Sequence, residues 1–583
     1  MHDLATSSFW AMHPRYLVLL AFTSTIVGCS HGTPGTPAID KATFDVVIEN
    51  GRIVDGTGNP WTYGDVGIRG ARIVAVTQPG VLHEASAKLR IDAHHHIVAP
   101  GFIDLQGQSI AALTWGDGRV VSKVTQGVTT EILGEGTTPG PSNAHVDSLG
   151  DVQTMEPPPP PALLQTFQGE HGFGAWLDAM RHHRNSINAG SFLGAQTVRA
   201  SVMGFKAGAP NAAELDGMRA VVRNAMREGA FGIASALIYP PGSYAGTNEL
   251  IELAKAMAPF HGEYITHMRS EDDSLFEAMD EAFRIAREGG VRLEIFHLKA
   301  SNRRNWSKAP EMVAKIDSAR ASGLDVGATM YPYPFSGNNL GECFPDWAAE
   351  NGKLMDNLKN PETRSRILKE MADPKGDPLC QIEGPSAYLI ADFKRPEYAK
   401  YEGKRLSEIA ADLKKPWPET VIELITTEGR DLSKINFTMS EDNVRMQIKY
   451  PWVVIGTDAD GVDPDSTKIV VHPRAYGSYP RILGRYVREQ KLFPLEEAIR
   501  KMSGGVAQRL GLQDRGLIRE GMYADIVVFD DATIIDLATP EKPHQISKGV
   551  EEVFVNGVEV LHDGKHTGAT PGQVITGPGT VAR

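Results

Sequence analysis

Glu263-Tyr264-Ile265-Thr266-His267-Met268-Arg269 and Leu293-Glu294-Ile295-Phe296-His297-Leu298-Lys299 are two apolar runs that each end in a histidine followed by a cation. Short runs rich in β-branched and aromatic residues read as strands. Upstream, similar runs alternate with helical stretches: Phe192-Leu193-Gly194, a helix over 213–229, Gly232-Ile233-Ala234-Ser235, a helix over 247–258, then the first histidine strand. Strand, helix, strand repeated in this way signals a parallel sheet. With 583 residues, the expected fold class is α/β, a (β/α)8 barrel over 99–510 with a smaller second domain.

The second domain is expected from the chain ends. Asp45-Val46-Val47-Ile48, Gly51-Arg52-Ile53-Val54, Val66-Gly67-Ile68 and Arg72-Ile73-Val74-Ala75-Val76 are short strands separated by glycine turns, and 524–529 and 553–560 match them near the C-terminus. Residues 44–98 and 511–575 are therefore expected to build one β-sandwich. After Tyr331 the alternation breaks, and 340–445, rich in helix formers and punctuated by Pro361, Pro378, Pro396 and Pro418, reads as a lid-like insertion over the barrel mouth.

Composition narrows the partners. A net charge of −13 lacks the clustered Lys and Arg that a phosphate backbone requires, so the expected partner is a small molecule and not a nucleic acid. The cysteines are Cys29, Cys343 and Cys380; they form no CxxC pair, and a Cys343–Cys380 bridge stays open. Residues 1–29 read as a signal peptide: Arg15, the apolar run 16–22, then Ile26-Val27-Gly28-Cys29, a lipobox in which Cys29 becomes the lipidated N-terminus. Met12 is an alternative start, and an ordinary signal peptide is the alternative to the lipobox. Residues 30–43 form a tether, and Ser30 directs the expected location to the periplasmic side of a Gram-negative outer membrane, the lipid being the one membrane contact.

In a parallel barrel the chemistry gathers where strands end. Besides His267 and His297, such ends offer Asp458 after Val453-Val454-Ile455-Gly456-Thr457, and Glu135 after Thr129-Thr130-Glu131-Ile132-Leu133-Gly134. Two histidines ending consecutive strands come within reach of one ion, and imidazole suits zinc. His94-His95-His96 precedes the first barrel strand and reads as a surface turn.

Val98-Ala99-Pro100-Gly101-Phe102-Ile103-Asp104, Ile238-Tyr239-Pro240-Pro241-Gly242, Thr266-His267-Met268-Arg269, Met330-Tyr331-Pro332-Tyr333, His472-Pro473-Arg474 and Pro480-Arg481-Ile482-Leu483-Gly484-Arg485-Tyr486 together carry a resemblance. From about 44 to 575 the chain is similar to the N-acyl-D-amino-acid deacylases (D-aminoacylases) of the amidohydrolase superfamily. Two departures stand out. Gln106 and Gln108 occupy the positions of the usual His-x-His, and no cysteine follows the second strand, where the family places a metal ligand. Glu135 is the expected substitute ligand, while Glu131, deeper in the barrel, is expected to be a buried, paired structural carboxylate.

The resemblance implies metal-dependent hydrolysis of a linear amide in N-acyl-D-amino acids. One divalent ion, zinc, is held by Glu135, His267 and His297 and activates a water; Asp458 serves as general base and then acid. Tyr331, or alternatively Tyr333, steadies the oxyanion. Lys299, Arg474, Arg269 and Tyr239 are expected to bind the amino acid product, with Gln106 and Gln108 orienting water or substrate. The competing readings are another amidohydrolase (hydantoinase, dihydroorotase or isoaspartyl dipeptidase) and a non-catalytic binding protein with a decayed metal site. The first is disfavoured because no lysine stands at a convincing strand end before His267.

Overall fold

The computed structural model describes residues 43–581 apart from 148–151, 153–154, 374–379, 381–382 and 430–431. The expected leader, Cys29 and tether lie outside the described residues. Strands Phe102–Asp104, Val128–Leu133, Asn188–Ser191 with its continuation Leu193–Gly194, Gly232–Ala236, Glu263–His267, Arg292–Ile295, Val326–Met330 and Val453–Ile455 follow one another in the chain. Each pairs in parallel with the next. Nearly every residue in them is buried, as expected when a sheet is covered on both faces, and this is why their text is continuously apolar instead of alternating.

The first and eighth strands also meet. Past their ends Gly107 and Ala459 form a parallel bridge, and Asp458 N–H donates to Gln106 O at 2.8 Å. Asp104 clamps the same seam: its Oδ1 accepts from Thr457 N at 3.0 Å and its Oδ2 from Lys123 Nζ at 2.7 Å. Lys123 also lies 3.2 Å from Glu131, and all three side chains are fully buried. Glu131 is thus the paired structural carboxylate expected from its depth.

Helices Ala212–Glu228, Thr247–Met257, Leu275–Gly289 and Ala309–Ala321 connect the strands. The first is started by a capping box between Asn211 and Glu214, which satisfies N–H groups that a helix leaves open. Leu275–Gly289 buries Leu275, Met279, Phe283 and Ala286, spaced three to four residues apart so that one face meets the sheet, each large side chain contributing roughly 1.5–3 kcal/mol.

Both chain ends enter one nine-stranded sheet. Its seam is the antiparallel pairing of Ile97–Pro100 with Ile526–Phe529. Alternation divides the labour: Ile526 and Val528 pack with Ile48, Val66 and Phe554, while Val527 and Phe529 share a core with Phe102 of the first parallel strand. His94 and His95 form an exposed turn, as expected.

The insertion differs from its expected form. It contains a four-stranded sheet of Ser336–Asn339, Ser433–Asn436, Tyr388–Ala391 and Lys404–Arg405 in that spatial order, so its boundaries move from 340–445 to about the ends of that sheet, Ser336 and Asn436. The edge pair Ser-Gly-Asn-Asn and Ser-Lys-Ile-Asn is almost wholly polar, which hid it from a reading based on apolar pattern. A separate core that includes Leu340, Tyr388, Leu406 and Ile422 fills the insertion, and Cys343 and Cys380 form a disulfide.

Replacing Lys123 by Met leaves Asp104 and Glu131 buried without their counter-ion. The expected loss is about 3–5 kcal/mol of stability, read from denaturant midpoints; an unchanged midpoint would show that the seam does not depend on this charge.

Candidate active site

The ends of four parallel strands converge on Glu135, His267, His297 and Asp458. Glu135 follows Val128–Leu133 through Gly134, whose φ of +105° turns the chain so that the carboxylate faces inward; a Cβ there would meet Phe192 O at 2.3 Å. His297 and Asp458 sit just past their strands with φ of +34° and +51°. Non-glycine residues rarely adopt this left-handed region, and such strain clusters at functional positions. Each is held by a backbone hydrogen bond: His297 N–H donates to Thr329 Oγ1 at 2.7 Å, and Asp458 N–H to Gln106 O.

Glu135 Oε1 is the common vertex. It lies 3.4 Å from His267 Nδ1 and 3.3 Å from His297 Nε2, and the imidazole rings stand nearly perpendicular with centroids 4.4 Å apart. Donors around a tetrahedral zinc with bonds of about 2.0–2.1 Å lie about 3.3–3.4 Å apart, so this donor set fits a divalent cation. Behind it stands Glu271, which the sequence reading missed. Its carboxylate lies 3.4 Å from His267 Nε2, 3.1 Å from His297 Nδ1 and 2.7 Å from Lys299 Nζ. A carboxylate on the far nitrogen of a ligand imidazole fixes the tautomer that turns the other lone pair to the ion. Its sequence signal was only an acid four residues after His267, in a Ser-Glu-Asp-Asp run that reads as an ordinary loop.

Burial opposes ionisation of Glu135, yet the two imidazoles overcome it and hold its carboxyl well below the usual range. Burial likewise lowers His267, but Glu271 and Glu135 outweigh it and push the imidazole up to about 9. Asp458 is raised, by burial first and by Glu135, against the pull of Arg474.

The remaining expected residues divide into those around this centre and those committed elsewhere. Arg474 pairs with Asp458 Oδ2 at 2.6 Å and lies over the Tyr331 ring at 4.7 Å, with its buried Nε lacking a hydrogen-bond partner. Among the described residues the Tyr331 hydroxyl meets only the Met439 sulfur at 3.5 Å, a weak acceptor. Tyr333 is separated from it by its own bond to Asp536 at 3.2 Å and by Arg481 over its ring. Tyr239 lies 5.8 Å from the His267 ring.

Gln106 and Gln108 face the carboxylates. Gln106 Nε2 donates to Glu135 Oε2 at 2.8 Å, and Gln108 Nε2 to Glu135 Oε2 at 2.9 Å and to Asp458 Oδ1 at 3.2 Å. Lys299 Nζ donates to Glu271 and to His297 O at 3.1 Å, and lies 2.7 Å from His297 Nδ1. Its observed place is that of a counter-ion to Glu271. Arg269 corrects the expected substrate contact: its guanidinium makes four hydrogen bonds, two to Glu281 and one each to Ser243 O and Ala245 O. That commitment braces the loop after the fourth strand and takes four of the five N–H donors. His472, Glu342 and Lys434 complete the surroundings; they were not singled out as ligands or catalysts in the sequence.

A parallel sheet bearing such a centre at its strand ends defines an amidohydrolase-type hydrolase, and a model described as the amidohydrolase family matches residues 417–561. The chain is 33% identical over 539 residues to the D-aminoacylase of Alcaligenes xylosoxydans xylosoxydans, which spans 92% of this chain and 98% of that one. To the N-acyl-D-glutamate deacylase of the same organism it is 32% identical over 541 residues, at 92% and 98% coverage. The solved N-acyl-D-glutamate deacylase of Bordetella bronchiseptica, complexed with zinc and a phosphonate mimic of the tetrahedral intermediate, aligns with TM-score 0.74 and 30% identity over 92% of this chain and 100% of that one. A solved D-aminoacylase, described by a binuclear metal centre with one-metal activation and second-metal attenuation, aligns with TM-score 0.74 and 33% identity over 91% and 100%. The chain belongs to the D-aminoacylase family of metal-dependent amidohydrolases, hydrolases of carbon–nitrogen amide bonds.

Because Glu271 and Glu135 raise His267 to about 9, the metal-free protein carries a protonated imidazole at pH 7. An ion needs the neutral form. Zinc uptake at pH 7 should therefore expel about one proton from His267 beyond any lost by a water the ion acidifies, and the imidazole's share falls toward none as pH rises above about 9. Calorimetric titrations in two buffers of different ionisation enthalpy measure this; heats independent of buffer at pH 7 would contradict it.

Proposed function

We propose that this chain deacylates N-acyl-D-amino acids at the mouth of a closed (β/α)8 barrel, with the sheet of the two chain ends as its sandwich domain and the insertion as its lid. The observation that carries this reading is the donor triangle of Glu135, His267 and His297: the carboxylate lies 3.4 and 3.3 Å from the two imidazole nitrogens, the spacing a tetrahedral cation requires, and all three donor atoms lie within 4.8 Å of one another. A divalent ion bound there supplies Lewis acidity, acidifying a water and polarising the amide carbonyl. The centre is proposed to hold one ion tightly: the positions that offer imidazole elsewhere in the family carry Gln106 and Gln108, whose amide groups here serve the carboxylates.

Asp458 is the proton carrier. Its raised pKa suits a group that takes a proton from the attacking water and returns it to the departing amine nitrogen, so the carboxylate begins and ends ionised. Arg474, beside Asp458 and with its buried Nε unpartnered among the described residues, receives the α-carboxylate of the amino acid in this reading through charge-assisted hydrogen bonds. Tyr331 offers its hydroxyl to the developing oxyanion, and Tyr239 borders the amide from the His267 side. Lys299 contributes through Glu271, holding the imidazoles in orientation.

The same reading keeps the chain exported and anchored through Cys29. If so, radiolabelled palmitate fed to the cells should mark the parent protein and not Cys29→Ser; an unlabelled parent would end that part of the reading.

His267→Ala and His297→Ala should each lose both metal and activity. Asp458→Asn should keep metal while kcat falls about 10²–10⁴-fold. Elemental analysis should return one ion per chain for the parent and for Gln106→Ala. Two tightly held ions per chain, or full metal in both histidine variants, would refute the single-ion centre.

A further inference from the structure

The insertion brings a second buried charge cluster to the edge of the site. Glu342, in the turn Leu340–Cys343, and Lys434, in strand Ser433–Asn436, face each other at 3.5 Å with side chains 5% and 1% exposed. Lys434 Nζ also donates to Asn436 Oδ1 at 3.0 Å and to Asn338 Oδ1, and Asn338 Nδ2 donates to Glu342 Oε2. Glu342 Oε1 is buried without a hydrogen bond. The disulfide at Cys343 ties down the turn that carries Glu342.

This cluster touches the centre on two sides. Tyr239, beside His267, contacts Glu342 through its hydroxyl. Gly337, on the strand paired with Ser433–Asn436, lies against the carboxylate anchor: a Cβ there would meet His472 Cδ2 at 3.5 Å and Arg474 NH2 at 3.7 Å. The roof thus borders both the centre and Arg474, within reach of the side chain of an amino acid held there.

Charge accounting then limits what that side chain can be. Lys299 is taken by Glu271, Arg474 is shared between Asp458 and the α-carboxylate, and Lys434 is taken by Glu342. Burial raises Glu342 and lowers Lys434, so wherever the shared proton rests the pair is net neutral. A second carboxylate on the substrate would enter beside Glu342 and find no unpaired cation in this group. Buried like charges without compensation strongly oppose binding.

We propose that the self-neutralised Glu342–Lys434 pair restricts this chain to N-acyl amino acids with uncharged side chains and excludes dicarboxylic substrates. Sequence identity does not make this distinction, since the D-aminoacylase and the N-acyl-D-glutamate deacylase are similar to the chain at 33% and 32%. The inference rests on the deacylase reading above.

The test is kcat/KM of the full-length, zinc-loaded protein on the N-acetyl derivatives of D-leucine, D-methionine, D-glutamine, D-glutamate and D-aspartate. The neutral substrates should exceed the acidic ones on the order of 10²-fold. Glu342→Gln leaves Lys434 uncompensated and should raise the acidic-to-neutral ratio by about tenfold or more, mainly through KM, whereas Lys434→Met should not raise it. A parent protein that prefers glutamate or aspartate overturns the proposal, as does an unmoved ratio in a folded Glu342→Gln protein. If that variant does not fold, the parent ratio decides alone. Turnover of none of the five would remove the deacylase reading, and this proposal with it.

Discussion

Two buried imidazoles stand between two buried carboxylates, and the rest of the site is arranged around that stack. Glu135 lies on one side of His267 and His297 and Glu271 on the other, all within 3.1–3.4 Å. Removing four ionisable groups from water is costly unless charge is returned to them. On the Glu271 side the compensation is Lys299; on the Glu135 side it is two amide N–H groups from Gln106 and Gln108, which carry no charge. Without an ion the protonated His267 balances Glu135; a cation bound where the donor atoms converge would take over that charge as the imidazole gives up its proton.

The same logic extends downward and upward. Below, Lys123 sits between Asp104 and Glu131 and ties the first strand to the eighth, fixing the segment that holds Asp458 at positive φ. Above, Lys434 and Glu342 repeat the pairing in the insertion. Three layers of buried charge thus run from the sheet interior to the roof: one lysine between two carboxylates below, where burial raises Glu131, the imidazoles and their carboxylates in the middle, and the Lys434–Glu342 pair above. A rigid surround of this kind holds catalytic groups in place without reorganisation during the reaction.

Much of this was legible in the sequence where chemistry coincides with strand ends. His267, His297, Asp458 and Glu135 each terminate or closely follow an apolar run, so the parallel arrangement alone brought them together. Glu271 was hidden because, although four residues after His267, it looked like a solvated loop acid; Lys434 was hidden because its partner Glu342 is distant in sequence and its strand is polar without alternation. Arg269 misled for the opposite reason, since its motif position suggests a ligand while its guanidinium is committed to Glu281 and two carbonyls. Gln106 and Gln108 were recognised as departures, but only their contacts reveal that they orient carboxylates.

The account stands or falls on where the ion sits. Anomalous diffraction at the zinc edge from a crystal of the zinc-loaded protein locates it directly. The expected result is one strong peak coordinated by Glu135 Oε1, His267 Nδ1 and His297 Nε2, with Gln106 and Gln108 still bonded to carboxylate oxygens. A strong peak elsewhere, or two equally strong peaks bridged by Glu135, would contradict it.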